Sequence, residues 1–165
     1  MSSGHPLDDI DREPWLESIR NTAEHMVIEM QGDSRTKDRS GVVIGCSALK
    51  KYYRDILRGL LKPAKNDPQS PEYHLEHAKP SLLITYFVFI DGPKEILMDR
   101  MEKRADHYMK ASMLDSQLRT LETPIEEGVV TVSLNDPTNL QVTQALDGLS
   151  RFPDFTSWLD DKRNS

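Results

Sequence analysis

The stretch Leu82-Leu83-Ile84-Thr85-Tyr86-Phe87-Val88-Phe89-Ile90 decides the fold class. It is apolar almost without interruption, β-branched or aromatic at several positions, and closed by Asp91-Gly92-Pro93. A strand wetted on one face would alternate polar and apolar residues. An unbroken run of this length reads as a strand buried on both faces, as in parallel sheets. It is too short for a membrane span.

Working outward, Pro93 opens a helix that turns Ile96, Leu97 and Met101 inward. A basic, irregular segment from Arg104 to Ser112 leads to a helix through Leu114, Leu118 and Leu121. Val129 to Leu134 is a further strand, Asn135-Asp136-Pro137 a turn, and Leu140 to Leu149 a helix. Toward the N-terminus, residues 61–80 carry four prolines and read as a long surface loop. Before it, a helix from Leu49 to Leu60 buries Tyr53, Ile56, Leu57 and Leu60, and Val42-Val43-Ile44, between Gly41 and Gly45, reads as a buried strand. The first helix is capped by Asp11, carries Pro14 in its first turn, and faces the core with Trp15, Ile19, Ala23, Met26 and Met30. Trp15 is the expected core anchor. Strands and helices in alternation predict a parallel α/β sheet covered by helices on both faces. Residues 1–150 are expected to form this domain, and 151–165, with Phe152, Phe155, Trp158 and Leu159, a short tail.

The bulk properties narrow the function classes. With 165 residues, 37% hydrophobic and 29% charged, the chain can bury a core. A net charge of −6 with both signs dispersed lacks the basic footprint of a nucleic-acid binder. The single cysteine, Cys46, precludes an internal disulfide and suits a reducing compartment, so cytoplasm is the expected location. The five histidines lack a metal-ligand spacing with it, and no metal site is expected from protein ligands. No stretch suggests contact with a membrane.

Lys50, Arg54 and Arg58 follow the C-terminal end of the expected strand 42–44, where ligands bind in open α/β sheets, and they share a helix face. By spacing alone they read better as a solvated helix face. Arg100, Lys103 and Arg104 alternate with Asp99 and Glu102, a pattern that surface ion pairs also explain. Cys46, at a strand end, is expected to be buried and inert.

Several blocks carry a resemblance. They are Ser3-Gly4-His5-Pro6-Leu7 with Asp9, Asp11-Arg12 and Pro14-Trp15-Leu16; Cys46-Ser47-Ala48-Leu49-Lys50; and Tyr53-Arg54-Asp55-Ile56-Leu57-Arg58. They continue with Arg104, His107-Tyr108-Met109-Lys110, Met113-Leu114, Ser116-Gln117 and Leu121-Glu122-Thr123-Pro124. In this order they resemble the gluconate kinases, a branch of the shikimate-kinase-like P-loop phosphotransferases.

The resemblance implies a three-layer α/β/α fold and ATP- and Mg2+-dependent phosphorylation of D-gluconate at its terminal hydroxyl. It implies that Lys50 and Arg54, with Arg58, contact the substrate. The segment 100–112 would be a lid whose Arg100 and Arg104 act on the nucleotide phosphates, with His107 and Gln117 near the sugar acid. Asn135, Asp136 and Pro137 would wrap the adenine, and a homodimer is the family's expected assembly. A different small-molecule kinase, such as one for shikimate or a nucleoside, is a third reading.

None of the eight glycines starts a Gly-x-x-x-x-Gly-Lys-Ser/Thr motif, whose amides cradle phosphates and whose hydroxyl binds Mg2+. The sequence opens inside a block that the family places after its first helix and second strand. The expectation is therefore a chain lacking the first strand, phosphate loop and first helix, marginally soluble and without ATP turnover on its own. A catalytically inactive short form that binds a sugar acid or partners a full-length kinase is the alternative.

Overall fold

A computed structural model of the chain describes residues 8–32, 41–62, 76–77, 83–103, 111–125 and 128–156. The block 3–7, the loop 63–75, the lid positions 104–110 and the tail beyond residue 156 lie outside them. The chain divides into two compact units, Met1–Thr85 and Tyr86–Ser165.

The first unit is built on helix α1 (Asp9–Gly32) and helix α2 (Lys51–Arg58). Asp8, rather than the expected Asp11, starts α1. Its carboxylate accepts from the Asp11 amide at 2.8 Å, and the Asp11 carboxylate accepts from the Asp8 amide at 3.3 Å. This reciprocal pair satisfies donors that the first helical turn leaves open. The buried face of α1 is Glu13, Leu16, Arg20, Ala23 and Val27. Of the expected stripe Ala23 is buried and Ile19 half-buried, but Trp15 is 43% and Met26 39% exposed, and Trp15 is no core anchor. Helix α2 buries Tyr53, Ile56 and Leu57 as expected, with Leu49 just ahead of it, whereas Leu60 is exposed.

Gly59 ends α2 at φ 74° and returns its amide to the Ile56 carbonyl at 2.9 Å. Only a residue without a Cβ accepts this left-handed position at little cost. The arginine of α1 closes the same corner. The Arg20 guanidinium, 5% exposed, donates to the Leu57 carbonyl at 2.9 Å, the Leu83 carbonyl at 2.9 Å, the Thr85 hydroxyl at 2.7 Å and the Glu24 carboxylate at 2.8 Å. Beyond α2, strand β1 (Leu61–Lys62) pairs antiparallel with β2 (Glu76–His77), so the expected loop 61–80 contains a two-residue ladder.

Val42-Val43-Ile44 is not a strand. It makes no ladder with any described residue, and Val43 stands fully exposed at 102%. Three apolar residues between two glycines supply propensity, but a strand exists only where a neighbour takes its amides and carbonyls. Cys46 is likewise exposed rather than buried. Partial desolvation still pushes its thiol pKa up, which opposes thiolate chemistry.

The second unit contains β3 (Phe87–Asp91), α3 (Lys94–Glu102), α4 (Ala111–Thr120), β4 (Val129–Ser133) and α5 (Thr138–Leu149). β3 and β4 pair in parallel with Phe87 opposite Val129 and Asp91 opposite Ser133, the two helices forming the crossover that a parallel pair needs. α5 returns onto β4 so closely that a Cβ at Gly148 would lie 2.4 Å from the Val130 side chain. Val132, Leu134 and Leu114 are buried, but Val88 is 44% and Ile90 50% exposed. The expectation of burial on both faces therefore fails for β3, which has a ladder neighbour on one side only among the described residues. After α5, Phe152 stacks on Tyr86 at 5.2 Å and Phe155 meets the same ring edge-on at 5.8 Å. Among the described residues no helix is long and apolar enough to cross a membrane.

Candidate functional site

Two groups of polar residues stand out, one in each unit. In the first unit the N-terminal turns of α1 and α2 meet around Asp9. Lys50, the residue preceding α2, donates to both Asp9 oxygens at 2.9 and 2.6 Å. Tyr53, buried in the first turn of α2, donates its hydroxyl to Asp9 in a short hydrogen bond. The Lys50 ammonium also lies 5.6 Å from the Tyr52 ring centre and 5.7 Å from that of Tyr53, and Arg12 faces the Tyr53 ring at 5.9 Å. Cations over aromatic faces are attracted by the ring quadrupole.

The electrostatics follow from this packing. Burial pushes the Asp9 carboxyl up, but hydrogen bonds from Lys50 and the neighbouring tyrosines, with the Lys50 charge, outweigh it and hold its pKa below the ordinary value. Burial, and then the hydrogen bond to Asp9, push Tyr53 up to about 12. Tyr52 is raised further, chiefly by burial. Its hydroxyl is close enough to Asp9 and Tyr53 to feel both, yet it has no partner of good hydrogen-bond geometry. Glu13, one turn along α1, is raised by burial and then by the Asp9 charge.

The other two predicted cations of α2 are engaged within the unit. Arg54 is 2% exposed and donates to the Ala48 carbonyl at 3.0 Å and the Leu49 carbonyl at 3.3 Å. It thereby fixes the segment that leads into Lys50. Arg58 pairs with Asp55 at 3.2 Å, and Lys51 pairs with the same carboxylate at 2.5 Å. Of the three predicted α2-side cations Lys50 has the most exposed side chain, 26% against 13% for Arg58. Asp9 lies in one of the blocks that carry the resemblance, where the sequence alone assigns it no role. A lone acid 41 positions away from Lys50 in sequence carries no spacing signal.

In the second unit the structure brings Arg100 to the predicted nucleotide turn. Its guanidinium donates to the Leu134 carbonyl at 2.7 Å, immediately before Asn135. The turn is held from α5 as well: Gln141 donates to the Ser133 carbonyl at 2.7 Å and Gln144 to the Asp136 carboxylate at 2.9 Å. Pro137 precedes α5 as its cap residue. Gln117 sits half-buried on α4, whose Asp115 forms an ion pair with Lys94 at 2.6 Å. Arg104 and His107 lie outside the described residues. Among the described residues no three His, Cys, Asp or Glu side chains are grouped to hold a metal ion.

No protein-family model matches the chain. Its solved relatives are informative. The crystal structure of a gluconokinase from Sinorhizobium meliloti 1021 superposes with a TM-score of 0.61 at 34% identity, over 96% of this chain and 73% of that one. The chain belongs to the gluconokinase family. An unliganded sugar kinase from Janibacter sp. HTCC2649 is similarly close, with a TM-score of 0.64 at 32% identity over 94% of this chain and 73% of that one. These neighbours make the fold that of the P-loop sugar kinases, mixed α/β with a parallel sheet. Among curated relatives, the probable gluconokinase of Schizosaccharomyces pombe is 38% identical over 149 residues, 89% of this chain and 65% of that protein. The thermosensitive gluconokinase of Escherichia coli is 36% identical over 137 residues, 82% of this chain and 57% of that protein. The chain therefore spans less than two thirds of the length of these curated gluconokinases.

Proposed function

We propose that the chain serves the ATP-dependent phosphorylation of D-gluconate to 6-phosphogluconate, and that it contributes the sugar-acid side of that reaction. The observation that carries this reading is Lys50: a partly exposed ammonium at the start of a helix, in a chain whose relatives are named gluconokinases. Gluconate is an anion, and a fixed cation is the simplest recognition element for its carboxylate. Arg54 supports the Lys50 segment from beneath through the Ala48 and Leu49 carbonyls. Arg58, His107 and Gln117 complete the proposed substrate side, and Arg100 and Arg104 the phosphate side.

Asn135, Asp136 and Pro137 form the proposed adenine contact, in a turn held by Arg100, Gln141 and Gln144. Phosphoryl transfer depends mainly on positioning and on neutralising charge. ATP and Mg2+ supply the phosphoryl group and its counter-charge. The described residues include no grouped metal ligands, and the 165-residue sequence has no phosphate-loop motif.

Binding is accordingly the property to test. Calorimetric titration of the 165-residue chain with D-gluconate is expected to give a saturable isotherm that shikimate does not compete away and that Lys50→Met weakens without abolishing. An isotherm that Lys50→Met leaves intact, or that shikimate displaces, would sink the assignment. Formation of 6-phosphogluconate from ATP, followed by mass spectrometry, tests turnover separately.

A further inference from the structure

Lys50 carries a long, flexible stem, and a flexible cation is a poor recognition element unless something holds it. In this structure Asp9 does so. Both of its oxygens lie within hydrogen-bond distance of the ammonium, and the rings of Tyr52 and Tyr53 flank the same group. Asp9 is itself fixed by the Tyr53 hydroxyl and by its place in the first turn of α1. An ammonium has three donors, and one carboxylate does not exhaust them, which leaves an N–H for a ligand oxygen.

We propose that Asp9 is a positioning residue for the proposed substrate site, clamping Lys50 so that one of its N–H groups is presented to the sugar-acid carboxylate. The inference rests on the reading of Lys50 given above. Asp9 does not touch the substrate; it acts through Lys50, and Tyr53 acts through Asp9.

The test uses the 165-residue chain labelled with 15N-lysine, in which the Lys50 ammonium signal is assigned by its loss in Lys50→Met. The signal is expected to be sharp in the wild type, lost to rapid exchange in Asp9→Asn and weakened in Tyr53→Phe. Gluconate affinity is expected to fall roughly three- to tenfold in Asp9→Asn, the scale of a partly exposed charge-assisted contact. It is expected to show no further loss when Asp9→Asn is added to Lys50→Met.

An unchanged Lys50 signal in Asp9→Asn would overturn the proposal. So would an additional affinity loss in the Lys50→Met background, which marks a general structural effect. If gluconate binds Lys50→Met normally while the signal still depends on Asp9, the substrate assignment of Lys50 fails and the clamp itself stands. Tyr53→Phe keeps the charge pair and serves as the readout where Asp9→Asn does not fold.

Discussion

Replacing Arg20 by Met tests the reasoning about the first unit most directly. The methionine retains the apolar part of the stem and removes four donated hydrogen bonds, to Glu24, Leu57, Thr85 and Leu83. A hydrogen bond from a charged donor contributes about 1.5–3 kcal/mol net, but the four are not additive, and desolvation of the buried guanidinium offsets part of them. Two local features soften the loss. Thr85 also donates to the Leu57 carbonyl at 3.3 Å, and Glu24 is 35% exposed and regains water. The net cost is then about 3 kcal/mol, the low end for breaking a buried charged network.

With a urea dependence of about 1.5 kcal/mol per molar for a small domain, the unfolding midpoint of this unit moves down by about 2 M. Hydrogen exchange of the amides of residues 53–60 localises the effect, because α2 ends on the Arg20 contact. Arg20→Lys, which keeps the charge but not the fork, is expected to recover only part of the loss. A midpoint shift under about 0.5 M in Arg20→Met would refute the claim that this arginine ties the unit together.

Other outcomes follow from the same structure. Gly148→Ala is expected to destabilise the second unit despite the better helix propensity of alanine, since its Cβ would meet the Val130 side chain at 2.4 Å; thermal unfolding should show a loss of about 1–3 kcal/mol. Phe152→Ala removes a ring stacked on Tyr86 and is expected to cost about 1–2 kcal/mol, read in the same assay. Glu13 has its folded pKa raised above the ordinary 4.5, so it lowers stability as pH rises from 4.5 through the folded value. Glu13→Gln is therefore expected to exceed the wild type in stability at neutral pH and to match it below 4.5. Asp9 works in the opposite sense. Its depressed pKa gives stability that is present above 3.8 and lost as pH falls through the folded value, so Asp9→Asn should flatten the acid limb of the stability profile.

The two units were not equally legible in the sequence. β4 and α5 lie close to where their apolar runs predict them, because consecutive β-branched and aromatic residues leave few alternatives. Of the run expected as a strand to Ile90, by contrast, residues 83–86 stay outside β3. α1 was found, with Ala23 on its inward face, but the rest of that face was misplaced. Two of its buried residues, Glu13 and Arg20, are charged, and a hydropathy pattern reads charge as outward. Only the distant carbonyls of Leu57 and Leu83 and the Thr85 hydroxyl explain why Arg20 turns in. Val42–Ile44 failed for the complementary reason: a strand is a property of a pair, and its sequence carries half of it.

In the candidate site, Lys50 was legible through its block and its place before α2. Asp9 was not, since the contact joins residues 41 apart. Arg100 was expected to face phosphates, and its bond to Leu134 additionally ties α3 to the end of β4.

The contacts of α1 and α2 also fix their relative direction. Asp9 meets Lys50 and Tyr53 at the beginning of α2, and Arg20 meets Leu57 near its end, so the two helices run the same way. Side-by-side parallel helices behave like two bar magnets with like poles adjacent. Their positive N-terminal ends lie together and repel, and Lys50 adds a third positive charge at that spot. The Asp9 carboxylate takes the Lys50 charge, while Asp8 and Asp11 close the first turn of α1. The pair is thus held at this end by part-exposed and exposed polar contacts and riveted at the other by the buried Arg20, so thermal opening should begin at the Asp9 end and travel toward Gly59.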